Sequence, residues 1–250
     1  MKRNSASLSK SAKFAIYYLM PALIITVFLF IIFTFIPQIA RVLGLSQSES
    51  VSVGNETVSL DKAIIAKACT GDGKTCIDDV ILLSGYIDQG MIEKIKVLAK
   101  EHQVNTICFA TRGGSKEAAI RIGEWINKTH RNTCMAEKYF TTGDLTVNAP
   151  LCASACPYIL AMGFERTALG SRFKIGIHSS GSTLDFGIFS FDNSSSRSDA
   201  TKGYKEMLES SNNSSSHLQM LYDSLDTRFD SKRYLSSEEQ KQYALFTEYH

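Results

Sequence analysis

The sequence lacks the compositional biases that mark disordered, collagen-like or coiled-coil chains. Across its 250 residues, hydrophobic residues make up 44% and charged residues 21%, close to the usage of ordinary globular proteins. A strong excess of basic charge is also absent, because the net charge is +2 and four of the basic residues lie in the first thirteen positions. The remainder has 23 basic and 25 acidic residues. This balance does not favour a nucleic-acid partner.

Charged residues are missing altogether between Lys13 and Arg41. The interval 14–40 reads FAIYYLMPALIITVFLFIIFTFIPQIA, and a bilayer core needs about 20 helical residues. We therefore expect one uncleaved transmembrane helix over 14–40, with residues 1–13 as a basic cytoplasmic tail. A cleaved signal peptide is the alternative, but its apolar region is shorter, roughly 7–15 residues, and a small-residue cleavage site follows it. The rest of the chain is then expected in the periplasm or outside the cell.

Zinc-binding cysteine patterns are missing as well. The sequence has no C-x2-C pair and no matching histidine spacing, so we expect neither a metal nor another cofactor. An exported domain lies in an oxidising compartment, where disulfides form. Cys69 and Cys76 bracket the turn-rich segment TGDGKT and predict a stapled loop, whereas Cys108 lies in an apolar strand-like run and is predicted to be a buried thiol. The six cysteines are Cys69, Cys76, Cys108, Cys134, Cys152 and Cys156.

What the sequence does contain is an alternation of strand-like and helix-like segments. Residues 41–60 are polar and Ser-rich and are predicted to be a linker, and 61–250 are predicted to form the exported domain. Met91, Ile95 and Leu98 recur at helical spacing, and the run 104–110 that follows is typical of a buried strand. This alternation predicts an α/β fold with right-handed crossovers. Residues 179–216 are rich in Ser, Asn and Gly and are predicted to be a flexible insertion.

One serine lies among small residues where an extended segment enters an apolar helix. Ser154 is the centre of the sequence C-A-S-A-C, and the free backbone N–H groups of a helix start favour negative charge beside its hydroxyl. Such a serine can be a nucleophile beside an oxyanion site, or simply a helix N-cap. Cys152 and Cys156 flank it. They could be core residues, one of them could bond Cys134, or they could bond each other if the turn brings them close enough.

A histidine and a glycine pair are the other candidate site residues. His178 ends a strand-like run and could act as a general base on Ser154, or could be a hydrogen-bonded histidine at the sheet edge. Gly113 and Gly114 follow a predicted strand, where they could bring backbone N–H groups close to a ligand or only form a turn. The remaining histidines lie in polar or terminal surroundings and are predicted to be surface residues: His102, His130, His217 and His250.

Taken in chain order, the glycine pair, the serine and the histidine make the stretch 81–180 resemble the Clp protease proteolytic subunit and its crotonase-like relatives. Gly85-Tyr86-Ile87 matches the G-x-I element of that family's opening strand, and residues 233–239 look like its closing segment. The C-A-S-A-C motif is most similar to that of exported or membrane-anchored Clp-like proteins. The resemblance implies a Clp-protease-like, crotonase-like spiral of ββα units, here preceded by one N-terminal transmembrane helix.

The resemblance also implies roles for particular residues. Ser154 would be the nucleophile and His178 the base, while Gly113, Gly114 and the N–H of Ala155 would bind the oxyanion. The family's aspartate directly precedes the arginine of the closing segment, but that position is Lys232 in this sequence. The nearest carboxylate that could orient the histidine is Asp230, and the next candidates are Asp226 and Asp223.

The resulting prediction is a membrane-anchored, exported serine peptidase that forms an acyl-enzyme on peptide or protein substrates. Two alternatives stay open. One is a catalytically inactive Clp-like domain that binds partners at the membrane, and the other is a different crotonase-like hydrolase, such as a thioester hydrolase. The resemblance also implies a homo-oligomer, although the Ser-rich stretch 179–216 falls where the family has the helix that joins its subunits.

Overall fold

The structure, a computed structural model, describes residues 51–53, 56–58, 63–141, 146–148, 150–179, 183–185, 190–192, 194–227 and 231–250. Contacts divide the chain into two units, Met1–Gln47 and Ser48–His250, and everything described belongs to the second. The predicted tail, the predicted anchor at 14–40 and Asp230 lie outside the described ranges. Within those ranges, none of the helices has both the length and the hydropathy to cross a bilayer.

Short strands and helices alternate along the described chain. The strands are β1 (Val51–Val53), β2 (Glu56–Val58), β3 (Ala63–Cys69), β4 (Cys76–Ile87), β5 (Thr106–Gly114), β6 (Asn132–Ala136), β7 (Lys138–Thr141), β8 (Thr146–Asn148), β9 (Leu151–Ala153), β10 (Arg166–Leu169), β11 (Lys174–Ile177), β12 (Thr183–Asp185), β13 (Ser190–Asp192), β14 (Arg233–Tyr234) and β15 (Glu248–Tyr249). The helices are α1 (Met91–Glu101), α2 (Lys116–Lys128), α3 (Cys156–Leu160), α4 (Ser194–Glu209), α5 (Ser214–Leu225) and α6 (Ser237–Gln242).

Eleven of these strands form one mixed sheet with a parallel centre. β5 pairs in parallel with β4, β6 and β9, and β9 pairs in parallel with β11. Antiparallel strands flank the centre, with β3 beside β4 and β14 beside β11. The expected mixed α/β class is therefore confirmed. The spiral of ββα units and the preceding membrane helix stay predictions.

The central strands are buried on both faces, which explains their nearly continuous apolar sequences. Along β4, Ile81 and Leu83 belong to the larger hydrophobic cluster, which includes residues of the helices. The alternating residues Val80 and Leu82 belong to a second cluster on the other face, together with Cys108 and Tyr139. The sheet is thus held from both sides, and the ends of its parallel strands are fixed in place.

Several elements begin or end elsewhere than the sequence predicts. The glycine pair belongs to β5 itself rather than to a turn after it. The helix expected from Ser154 onward begins at Cys156, so the serine precedes it. The Ser-rich stretch contains the whole of α4 and the start of α5, where the sequence indicates only a short helix. Within the predicted linker, β1 and β2 pair as an antiparallel hairpin.

All six cysteines form disulfides. The predicted Cys69–Cys76 staple is confirmed, and Cys152 pairs with Cys156, one of the alternatives left open. The prediction of a free thiol at Cys108 is wrong, because Cys108 pairs with Cys134. These two residues are register partners on β5 and β6, and their Cα atoms are 4.4 Å apart. Such a pairing depends on which strands become neighbours in the sheet. The spacing of the cysteines along the sequence does not contain that information.

The prediction of a surface position for His217 is also wrong. This residue lies on α5 with no exposed surface, and its Nδ1 is 2.6 Å from the Ser211 hydroxyl. The pKa of His217 is lowered to about 4, first by burial and then by the nearby Arg166 charge, while a contact with the Ala244 carbonyl acts in the opposite direction. The polar sequence around His217 belongs to an amphipathic helix, and the histidine is on its inner face.

Candidate active site

Ser154 occupies a tight turn between a strand and a helix. It directly follows β9, and its φ of 61° is in the left-handed region that residues other than glycine rarely adopt. Ala155, rather than Ser154, is the N-cap residue of α3, and no side chain caps that helix. The Ser154 hydroxyl therefore does not serve as a helix cap. Backbone strain of this kind costs about 1–3 kcal/mol and persists only where the surroundings enforce it.

Two bonds hold the conformation of this turn. The Cys152–Cys156 disulfide closes a ring around Ser154, with the two Cα atoms 5.3 Å apart. The Ser154 N–H donates to the Gly176 carbonyl on β11 at 3.0 Å. Both cysteines are fully buried, whereas Ser154 itself is half-buried. The turn is therefore fixed in a buried base, and the serine it presents is partly exposed.

Gly113 packs directly against the serine turn. A Cβ atom added at this position would lie 2.5 Å from the Ser154 Cβ and 3.0 Å from the Ala155 nitrogen, and Gly113 has a φ of 100°. Only glycine fits both the close approach and the backbone conformation. Gly114 is equally confined, because an added Cβ would lie 2.3 Å from the Ile87 carbonyl oxygen on β4. The structure thus brings Gly113, Ser154 and Ala155 together.

The Gly113 N–H is engaged within the chain. It donates to the Thr111 hydroxyl at 3.1 Å, and that hydroxyl donates in turn to the Gly85 carbonyl. Thr111 is almost fully buried and holds the end of β5 against β4. Arg112, between these residues, is exposed. An oxyanion near Gly113 would compete with a neutral hydroxyl for this N–H, and hydrogen bonds to charged groups are the stronger ones.

His178 lies beside the serine turn at the end of β11. β9 and β11 are parallel neighbours in which Ala153 pairs with Gly176, so Ser154 and His178 follow the carboxyl ends of adjacent strands. The half-buried ring makes a 2.8 Å hydrogen bond from Nδ1 to the Ser179 carbonyl. Burial lowers the pKa of His178, the contact with Ser179 raises it, and the charge of Lys232 lowers it. Among the residues the structure describes, no hydrogen bond joins the ring to the Ser154 hydroxyl.

Of the carboxylates proposed to orient the histidine, the two that the structure describes, Asp223 and Asp226, are not hydrogen-bonded to its ring. Asp223 instead accepts hydrogen bonds from the Tyr243 hydroxyl at 2.5 Å and from the Gln219 amide at 2.6 Å. Asp226 is exposed at the C-terminal cap of α5. Asp230 lies outside the described residues. Sequence reasoning missed Ser179 as a partner of the ring, because a backbone carbonyl acts through its position and leaves no residue-type signal.

Metal chemistry has no donor set in the part of the chain that the structure describes. No group of three or more His, Cys, Asp or Glu side chains is arranged there to hold an ion. The cysteines are all in disulfides and cannot act as thiolate ligands. What the arrangement offers chemically is the hydroxyl of a partly exposed serine, a neighbouring imidazole and backbone N–H groups at a helix start.

Comparisons with known proteins give similarity in structure only. No family model matches the chain, and none of the curated proteins matches it. One similar solved structure is a serine-to-alanine mutant of the 1510-N membrane-bound stomatin-specific protease, with 13% identity and a TM-score of 0.49, covering 68% of this chain and 77% of that one. Another is a point mutant of ClpP1 from Listeria monocytogenes, with 17% identity and a TM-score of 0.45, covering 68% of this chain and 90% of that one.

Proposed function

We propose that this protein is a serine hydrolase of the Clp-like kind, which cleaves peptide bonds through Ser154 and His178. The observation that carries the proposal is the strained turn at Ser154, with its φ of 61°. A non-glycine residue in this conformation is uncommon, and such strain clusters at functional sites. The disulfide and Gly113 hold the strained residue in place, and the residue is partly exposed. Peptide as the substrate class is what the resemblance of the sequence to the Clp protease family implies.

The reaction would proceed through an acyl-enzyme. The Ser154 Oγ attacks the carbonyl carbon of the scissile bond, and its proton passes to His178 Nε2. The tetrahedral intermediate then expels the amine, which takes the proton from Nε2, and Ser154 is left as an ester. Water, deprotonated by the same nitrogen, hydrolyses this ester and restores the hydroxyl. Apo structures often lack the hydrogen bond between nucleophile and base, which tightens when substrate binds.

Backbone N–H groups would bind the negative charge that develops on the carbonyl oxygen. The Ala155 N–H lies at the start of α3, beside the nucleophile. The Gly113 backbone approaches the same turn and would supply the second donor by exchanging its bond to Thr111 for one to the oxyanion, while Gly114 packs against Ile87 behind it. Removing one such donor from a hydrolase typically costs about 100- to 1,000-fold in rate.

Labelling with a fluorophosphonate probe tests whether Ser154 is an activated nucleophile. The full chain is solubilised in detergent with its disulfides intact, and Ser154→Ala is compared with Ser237→Ala, an exposed serine on α6. We expect covalent labelling of the parent protein and of Ser237→Ala, and none of Ser154→Ala. Equal labelling of Ser154→Ala would contradict the proposal, as would the absence of labelling in a folded, oxidised sample.

A binding domain on the same fold is the second candidate. It is favoured by one feature, the absence of a hydrogen bond between His178 and the Ser154 hydroxyl in the described part of the chain. A folded, oxidised protein that shows no labelling would support this candidate, because its serine would then be unreactive. Labelling that is lost only in Ser154→Ala would exclude it.

We also propose that the domain is exported and held at a membrane by the apolar run 14–40. Two features support this: the uncharged length of that run, and three disulfides, which persist in oxidising compartments. In intact cells, an impermeant protease is expected to digest the domain only after any outer barrier is opened. The protein is expected to stay with membranes in alkaline carbonate. Recovery of the full chain in the soluble, protease-protected fraction would contradict the proposal.

A further inference from the structure

The Nδ1 side of the His178 ring faces a backbone carbonyl. The 2.8 Å contact joins Nδ1 to the carbonyl oxygen of the next residue, Ser179. A carbonyl oxygen can only accept a hydrogen bond, so Nδ1 must carry the proton in this arrangement. In a neutral imidazole the other nitrogen, Nε2, is then unprotonated. This is the tautomer that a general base needs.

Ser179 is fixed from a second direction. Its N–H donates to the Thr227 carbonyl at 3.0 Å, and the residue has no exposed surface. Thr227 follows α5, and that helix is tied to the serine helix by a 2.8 Å bond from the Tyr158 hydroxyl to the Ser224 hydroxyl. The acceptor is therefore anchored to the same core as α3. Its position does not depend on a flexible side chain.

Lys232 lies near the ring, at the position where the resemblance implies an aspartate. β14 pairs antiparallel with β11, with Arg233 opposite Ile177, and this register places Lys232 across from His178. Lys232 is exposed, whereas Arg233 is paired with Glu239. On the described part of the segment after α5, residues 226–227, the titratable residue is Asp226, which is exposed at the helix cap. Arg228 and Asp230 follow it in the sequence, outside the described residues. The serine turn on the other side, residues 152–156, carries no charged side chain.

We propose that the Ser179 carbonyl, rather than a carboxylate, positions His178 as a base, and that Lys232 supplies a positive charge beside it. This inference rests on the proposed function and specifies how its base is built. A carbonyl sets the tautomer without a full negative charge, so the imidazolium that forms during acylation is stabilised less than beside an aspartate. Ser179 and Lys232 are positioning residues, because neither of them touches the reacting atoms.

The pH dependence of acylation distinguishes a histidine positioned by a carbonyl beside a lysine from a histidine positioned by a carboxylate. Acylation needs neutral His178, so its rate rises with pH through the pKa of that residue. Burial and the Lys232 charge both lower this pKa, and the midpoint is expected below the unperturbed value of about 6.5. In Lys232→Gln the midpoint should move to higher pH, and in Lys232→Asp it should move further. The matched control is Lys100→Gln in the last turn of α1, which should leave the midpoint unchanged.

The second measurement needs no activity. Histidine 15N spectra of the full chain in the Ser154→Ala background report which ring nitrogen carries the proton, with His178→Gln used to assign the signal. We expect the Nδ1-protonated tautomer of His178. An Nε2-protonated ring, a wild-type midpoint above about 6.5, or a midpoint that Lys232→Gln does not move would overturn the proposal. A protein that is never labelled but shows the expected tautomer would contradict the proposed function and leave the ring geometry supported.

Discussion

The nucleophile and the base of the candidate site lie on adjacent strands, yet they are held in different ways. The Ser154 turn is fixed by a disulfide two residues away on each side, by a glycine packed against it and by a backbone bond to β11. His178 is fixed by one hydrogen bond to the next residue, which in turn depends on the end of α5. The serine is held by one local restraint, its disulfide, and by two contacts from strands distant in sequence. The histidine depends on a single hydrogen bond to its chain neighbour, and that neighbour is held by the end of α5.

The difference predicts where the site is sensitive. Substitutions near Ser154 should lower the reactivity of its hydroxyl, because the turn has little freedom to relax around them. Changes near His178 should act through its tautomer and its pKa. Three variants or conditions, in order of decreasing expected effect at neutral pH, test this comparison.

Gly113→Ala should have the largest effect, because it breaks the serine turn directly. The new Cβ would lie 2.5 Å from the Ser154 Cβ and 2.7 Å from the Ala153 carbonyl oxygen, at a φ of 100°. We expect fluorophosphonate labelling to fall by about 100-fold or more. The free energy of unfolding should fall by about 1–3 kcal/mol, as for an overpacked core.

Gly73→Ala is the matched control for this variant. Gly73 also has a positive φ, of 74°, but nothing lies within 4 Å of an added Cβ. It carries the backbone strain without the steric clash, so its labelling rate should equal that of the parent protein. If Gly113→Ala were labelled at the parental rate, the packing of β5 against the serine turn would be irrelevant to its reactivity.

Removing the disulfide around the serine should have an intermediate effect. In the double variant Cys152→Ala, Cys156→Ala the ring of five residues is opened, and the turn can leave its strained conformation. The stability loss is expected to be about 2 kcal/mol, at the low end for disulfides because the loop is short. Labelling should fall by about tenfold, since the strained geometry costs about 1–3 kcal/mol to hold.

The comparison for that variant is Cys69→Ala, Cys76→Ala, which opens the staple between β3 and β4. Thermal unfolding and labelling rate are measured for both double variants. The second pair should lose stability without a change in labelling per folded molecule. Equal labelling losses in the two variants would mean that general destabilisation, rather than the serine turn, explains the first result.

Acid should destabilise the elements that hold His178 before it destabilises the turn that holds Ser154. At neutral pH this is the smallest of the three expected effects. His217 lies buried on α5, which leads to Thr227 and so to the Ser179 carbonyl. Its pKa in the folded protein is lowered to about 4, whereas in the unfolded chain it is about 6.5. The unfolded state therefore binds a proton first, and stability is lost as the pH falls from about 6.5 to 4.

Denaturant unfolding between pH 4 and 7 checks this prediction. The parent protein should lose about 2–3 kcal/mol over that range from this residue alone. His217→Gln should remove that part of the pH dependence, although it also loses the bond to Ser211. His102→Gln, at the exposed C-terminal cap of α1, is the control and should keep the parental slope. A parental slope in His217→Gln as well would show that burial of this histidine does not control acid stability.

Much of the fold could be predicted from the sequence, because many of its strands and helices are indicated by patterns of neighbouring residues. The helical stripe from Met91 onward, the buried strand before the glycine pair, and the capping box of Ser236 and Glu239 all have short-range signatures. The Cys69–Cys76 staple was readable for the same reason, since both residues flank one turn. Boundaries were less accurate where a strand continued through glycines, as β5 does at Gly113.

The site was only partly readable. The sequence by itself determined which hydroxyl, which imidazole and which glycine pair are candidates, because small residues and strand ends carry local signals. Only the tertiary structure decided that Ser154 is strained rather than a helix cap, that Cys108 faces Cys134, and that His217 is buried. It also placed a carbonyl and Lys232 around His178. These facts depend on strand neighbours and register, and the free energy of packing that fixes them comes from contacts between residues far apart in the chain.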